Sequence, residues 1–208
     1  MPPGRPRRVP DHIRPPFAWI GGAACLDFVN TASWRTPDLL ENERFRSVED
    51  LAEWGRIAGL PVGHVSAATL DAAHELRSLL YDLFTAIAEG AELHSSELAR
   101  FDASIAGAAR RMQPRPTTDH PAWRWVPRDP GDERVLVDAI VLAALDLVRS
   151  PDIALLRTCA NERCGWLFLD RSRKHNRRWC EMRECGAQAQ ARRYRTRRRT
   201  QTSVEEPT

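Results

Sequence analysis

Four cysteines in one short stretch constrain this chain more than any other feature. "CANERCGWLFLDRSRKHNRRWCEMRECG", residues 159 to 186, holds Cys159, Cys164, Cys180 and Cys185 in two pairs with the spacing C-x4-C-x15-C-x4-C. Tetrahedral zinc needs four soft ligands converging on one point, and two short-loop pairs brought together by a hairpin supply them. The stretch has too few apolar side chains for a core of its own, and small units of this kind need a staple. A structural zinc contributes on the order of 10–16 kcal/mol, which is ample. "WLFLD" reads as a strand and "RRWC" as its return strand. A redox dithiol would show two cysteines separated by two residues, and neither pair fits. His175 could replace one cysteine, but it sits at the expected hairpin tip and reads as a solvated or phosphate-facing residue. The expected site is therefore one structural Zn²⁺ on four thiolates, closed to substrate. Arg163, Lys174 and Arg183 offset its formal charge near −2.

The remaining chain argues for a reducing compartment. Residues 1–16, "MPPGRPRRVPDHIRPP", are basic and proline-rich with no apolar stretch behind them, so they fail as a signal peptide and read as a flexible arm. No apolar run approaches the ~20 residues that cross a bilayer. A soluble cytoplasmic protein with no membrane partner is expected, where clustered thiols bind metal more often than they form bridges. Cys25, far from the others, reads as a small buried hydrophobe.

Hydrophobic periodicity makes residues 17–152 a mainly α body. "SVEDLAEWGRIAGL" opens with a capping pair, Ser47 and Asp50, and repeats Leu51, Trp54 and Ile57 at helical spacing. "SAATLDAAHELRSLLYDLFTAIAEG" carries one apolar stripe and stops at Gly90. "SSELARFDASIAGAARRM" predicts a helix burying Leu98, Phe101 and Ile105. Five prolines and the alternation of Trp123 and Trp125 predict a short strand or hairpin. "DERVLVDAIVLAALDLVRS" is apolar nearly all round, so its helix should be central. The predicted class is a helical N-terminal domain with a short hairpin, then a zinc finger over 155–199 with a β-hairpin and a basic helix. A flexible tail over 200–208 follows.

Charge divides the chain. Residues 159–199 hold thirteen Lys or Arg and four Asp or Glu, a balance of +9, so the rest carries 3 − 9 = −6. A basic end on an acidic body points to a polyanion, with nucleic acid the first candidate. Arg177 and Arg178 lie in the finger. In "AQAQARRYRTRRRT", Arg192, Arg195 and Arg199 fall on one helix side, Arg193 and Arg197 on the next, and Arg198 elsewhere. Six arginines in eight positions repel one another unless phosphates neutralise them, and they can also read guanine edges in a major groove.

The cysteine stretch and its arginine-rich helix closely resemble the CGNR zinc finger family, through Cys159, Cys164, Phe168, Asp170, Trp179, Cys180, Cys185 and Gly186. "CLDFVNT", residues 25–31, resembles the N-terminal signature of the ABATE domain. That domain accompanies this finger in bacterial proteins described as stress-induced transcription regulators. The resemblance implies a zinc-dependent regulator that binds double-stranded DNA, with the body for sensing a small-molecule effector or for association. Where the family name spells Asn and Arg, this chain has Ala187 and Gln188, which leaves any phosphate contact there to neighbouring arginines. Asp27, Asn30 and Thr31 either line a ligand pocket or, the preferred reading, are buried hydrogen bonds holding a helix. A single finger reads little sequence, so a homodimer would help. The rival reading is an RNA-binding or protein-docking zinc module, with Trp166, Trp179 and Tyr194 for stacking. No nucleophile–base pair, phosphate loop or open metal site can be read, so no enzyme is expected. Zinc removal should unfold 159–186 and spare the body.

Overall fold

The structure is a computed structural model that describes residues 17–32, 43–117 and 122–202, with side chains described to residue 196. Among the described residues there are six α-helices and two two-stranded sheets. The predicted arm lies outside the described residues, as do residues 203–208.

Helix α1 (Ala24–Val29) is short and almost wholly buried. Helix α2 (Val48–Ile57) starts at the expected capping box, in which Ser47 accepts from the Asp50 N–H and Asp50 accepts from the Ser47 N–H. Helix α3 (Ala67–Glu89) has its own capping box at Ser66 and Thr69 and ends on Gly90 in the left-handed conformation. Its stripe of Leu76, Leu79, Leu80, Leu83 and Phe84 is buried. Helix α4 (Ser95–Arg111) follows. It corrects one expectation: Leu98 is exposed, and the buried residues are Phe101 and Ala108 with Ile105 half-buried. Burial begins only at Phe101, so the first turn of α4 needs no apolar face.

Strands β1 (Met112–Pro116) and β2 (Trp123–Pro127) form the expected antiparallel hairpin, with Met112 opposite Pro127 and Pro116 opposite Trp123. Helix α5 (Val135–Arg149) is buried on nearly every side and packs against α1, α3 and α4. Its uniform apolar character therefore reflects a central position, as expected. Phe17, Phe28, Phe45 and Trp54 close one end of this core, with the Phe28 and Trp54 rings 5.4 Å apart.

A 3-10 turn (Pro151–Leu155) leads into β3 (Leu156–Thr158), which pairs antiparallel with β4 (Leu167–Leu169). This departs from the expected pairing. The partner of "WLFLD" is Leu156–Thr158, and "RRWC" forms no strand. The backbone of Arg178–Cys180 is engaged elsewhere. The Arg178 carbonyl accepts from the Ala160 N–H at 2.8 Å, and the Cys180 N–H points at the Cys159 sulfur at 3.4 Å. A π turn (Met182–Gly186) then opens directly into helix α6 (Ala187–Thr202), which runs three residues into the predicted tail.

Strand β4 separates two cores. Side chains alternate along a strand, so Leu167 and Leu169 join Leu156 in the main core while Phe168 faces the cysteines. The finger hairpin is thus built into the body.

Candidate metal centre and basic helix

The four predicted ligands come from three local structures. Cys159 follows β3 directly. Cys164 ends a tight turn closed by its N–H on the Asn161 carbonyl at 3.0 Å, and Gly165 takes φ 74° just after it. A left-handed φ favours glycine. Cys180 precedes the π turn and Cys185 lies within it, where a Cβ on Gly186 would stand 2.5 Å from the Met182 sulfur.

All four sulfurs are buried and lie within 4.8 Å of one another. The Cys164–Cys180 and Cys180–Cys185 sulfur pairs are each 3.6 Å apart. That is far beyond a disulfide bond of about 2.05 Å. It is close to the separation of about 3.8 Å that tetrahedral geometry gives for zinc–sulfur bonds of about 2.3 Å. The contacts also perturb the thiols. Hydrogen bonds from Cys164, Cys180 and Cys185 push Cys159 far below the ordinary thiol range, while hydrogen bonding to Cys159 pushes Cys164 and Cys180 far above it. Four sulfurs this close hold their charge together only around a cation. The donor set fits one structural zinc ion, and four protein ligands fill its coordination.

The loop over 171–177 is shaped by Asp170, which is fully buried. Its carboxylate accepts from the Ser172 hydroxyl at 2.5 Å, the Ser172 N–H at 3.0 Å and the Arg177 N–H at 2.8 Å. These bonds, the Ser172 hydroxyl first, hold its pKa below the usual carboxylate value. His175 sits at positive φ with its Nδ1 on the Asp170 carbonyl at 2.8 Å and takes no part in the sulfur cluster.

The predicted arginines divide. Arg177 turns inward: its Nε donates to the Trp179 carbonyl at 3.0 Å, its Nη2 to the Cys180 carbonyl, and its guanidinium lies 4.3 Å from the Phe168 ring centre. Arg192 is half-buried and donates to Asn161 Oδ1 at 2.9 Å. Both therefore brace the finger. Arg178 is exposed over the Trp179 ring, and Arg193 and Arg195 are exposed on α6. Among the described residues none of these three stands in an ion pair. The side chains of Arg197, Arg198 and Arg199 lie outside the described ones.

Asn161, not singled out from the sequence, is the hub between the first cysteine pair and α6. It accepts from Arg192 and donates through Nδ2 to Gln188 Oε1 at 3.0 Å. One of the two departures from the family name is thereby explained: Gln188 is a bracket. The available signal was a short polar side chain in a tight turn.

Asp27 and Asn30 bind the finger to the body, and Thr31 braces the body beside them. Asn30 donates to the Leu167 carbonyl at 2.8 Å and accepts from the Leu167 N–H at 2.9 Å. Asp27 Oδ1 accepts from the Gly21 N–H at 2.7 Å, and the Gly21 carbonyl accepts from the Leu169 N–H at 2.9 Å. Burial raises the Asp27 pKa to about 6. The Thr31 hydroxyl donates to the Phe28 carbonyl and accepts from Arg77, which pairs with Glu43. Trp166 Nε1 donates to the Ala32 carbonyl at 2.6 Å. Of the two readings, the hydrogen-bonded one matches this geometry.

Two family models match. The first is the ABATE model, described as "Putative stress-induced transcription regulator", over residues 22–151. The second is the CGNR zinc finger over residues 156–198. No curated protein matches the chain. The first match spans more than half of the 208 residues, and the second covers all four cysteines and the start of α6. The chain belongs to the ABATE family and carries a CGNR zinc finger at its C-terminal side.

Proposed function

We propose that the protein is a DNA-binding transcription regulator in which the zinc-held finger and α6 contact the duplex while the helical body senses a small molecule or associates with a second copy. One observation carries this reading: an arginine-rich helix, on which Arg193 and Arg195 are exposed and in no ion pair with a described residue, starts at the residue after Cys185–Gly186, so the metal fixes its direction. Its positive N-terminal end also abuts the thiolate cluster, a favourable placement. Like-charged residues at this density destabilise a free helix and are stabilised by phosphates. The role is one of binding rather than catalysis, since four cysteines leave the metal no open position. No helix among the described residues is long and apolar enough to cross a membrane.

RNA is the weaker alternative. Of the aromatics that could stack on bases, Trp166 is tied to Ala32, and Trp179 is half-buried under Arg178. Tyr194 alone of the three is well exposed.

Anisotropy titrations of a fluorescent random-sequence duplex test the proposal. Deleting residues 187–208 should abolish binding and leave one zinc per chain. Replacing Arg193 and Arg195 together by Ala should lower the slope of log K against log salt by about 2, at about 0.9 per phosphate contact. Undiminished duplex binding by the truncated protein, or a preference for an RNA hairpin in competition, would overturn it.

A further inference from the structure

We propose that the cleft between α3, α4 and α5 binds a small organic anion, a monocarboxylate with an apolar body; this gives a site and a ligand class to the sensing role above and rests on it. The cleft encloses about 470 Å³, within the span of about 300–1,000 Å³ usual for small-molecule sites. Leu76 and Leu79 from α3 and Val137 and Val141 from α5 give it an apolar wall. Arg100 and Arg134 stand at its edge, in no ion pair with a described residue.

The base of the cleft is unusual for a helical core. Asp138 is 1 % exposed on the otherwise apolar α5, and a carboxylate buried so deeply requires a partner. Arg111 supplies it as a fork, Nε to Oδ2 at 2.6 Å and Nη2 to Oδ1 at 2.8 Å. That pairing fixes the guanidinium plane, while Nη1 has no hydrogen bond to a described residue. An apolar pair would join α4 to α5 at least as well, so stability alone does not account for the ion pair. Gly107 keeps the arrangement open. Glycine inside a helix is destabilising, but a Cβ here would stand 3.1 Å from Arg111 Nη2.

The charges select the ligand. Among the lining residues Arg111 and Asp138 cancel, and Arg100 and Arg134 outnumber Glu75 by one positive charge, while Asp82 near Arg100 and Asp132 near Arg111 stand outside the lining. Guanidinium forks match carboxylates, and the apolar wall takes a hydrocarbon body. Because α3 also packs against β3, the strand that ends beside Cys159, a ligand held by α3 lies on a contiguous path to the finger.

Full-length zinc-loaded protein, without DNA, is titrated with hexanoate at constant ionic strength, with hexanol as the neutral counterpart. Hexanoate at about ten times its Kd should raise Tm by about 3–6 °C, and hexanol should not. Arg100→Ala with Arg134→Ala should weaken hexanoate binding about tenfold or more by calorimetry. Ala103→Trp, which fills the cleft from an exposed position, should abolish binding while zinc content and ligand-free Tm stay unchanged. Equal responses to hexanoate and hexanol, or unchanged affinity in both variants, would overturn the proposal. Duplex binding measured separately without hexanoate tests the regulator reading, so either can fail alone.

Discussion

Asn30 reaches 137 positions along the chain to pair with both backbone groups of Leu167, as a strand residue would. Asn30→Ala leaves a buried N–H and a buried carbonyl unpaired, at about 1–3 kcal/mol each. Urea unfolding of the zinc-loaded variant should show a loss of about 2–4 kcal/mol; a loss under 0.5 kcal/mol would mean that water replaces the side chain. Asp27 sets a pH dependence. Its folded pKa of about 6 lies above the ordinary 3.8 because burial disfavours the charged form. The folded state therefore holds the proton more tightly, and the stabilisation is full below pH 3.8 and is lost as pH rises through about 6. Asp27→Asn keeps the acceptor for Gly21 and removes the titration. Between pH 5 and 7 in excess zinc, the variant should gain about 1 kcal/mol on the natural protein, by urea unfolding at each pH. A constant difference across that window would contradict it.

Among elements, β4 and the π turn decide how the finger responds to its metal. Leu167 and Leu169 are anchored in the body, whereas Phe168 and the 182–186 turn depend on the sulfur cluster. Chelation should therefore expose amides over 171–202 and leave Leu167 and Leu169 protected in hydrogen exchange. That outcome differs from independent melting of the whole 159–186 stretch. Gly186 is the sensitive point of the turn. A Cβ there collides with the Met182 sulfur, and Met182 is itself exposed and can swing away. Gly186→Ala should cost about 0.5–1.5 kcal/mol, the cost of moving Met182 off its rotamer, and weaken zinc retention against a competing chelator slightly, and Met182→Ala in the same chain should restore most of both.

The whole molecule is one body with a finger sewn into it. Leu156, Leu167 and Leu169 belong to the main core, and Arg171 ties the loop after β4 to Asp152 and to the Gly22 carbonyl. Removing all residues after 155 deletes three buried leucines, at about 1.5–3 kcal/mol each. The sum of about 5–9 kcal/mol approaches the full stability of an ordinary domain. The truncated chain should lose its cooperative thermal transition by circular dichroism. A transition within a few degrees of the full-length protein would show that the finger is a separable attachment.

Much of this was legible in residue order because the governing interactions are local. The cysteine spacing names the metal, since four thiols in two short-loop pairs match the ligand pattern of a tetrahedral zinc site. Ser47 with Asp50, and Gly90, mark helix ends through bonds made within a few residues. The all-apolar α5 announces its central place because no side of it tolerates water. The rest depended on partners distant in the chain. The strand that pairs with Leu167–Leu169 lies before Cys159, and nothing in "RRWC" reveals that its backbone serves a sulfur and a neighbouring loop instead of a ladder. Arg177 and Arg192 look like their neighbours in a basic run, yet carbonyls and Asn161 hold them inward. The cleft over Arg111 and Asp138 exists only where α3, α4 and α5 meet. The sequence by itself determined helices α2 to α6, the ends at Ser47 and Gly90 and the zinc ligands, because each rests on residue type and short spacing. Only the tertiary structure decided which arginines stay exposed and that the finger shares the body's core. The shared core hangs on hydrogen bonds across 137 residues, and Arg177 and Arg192 are held by loop carbonyls and a turn whose placement no local pattern encodes.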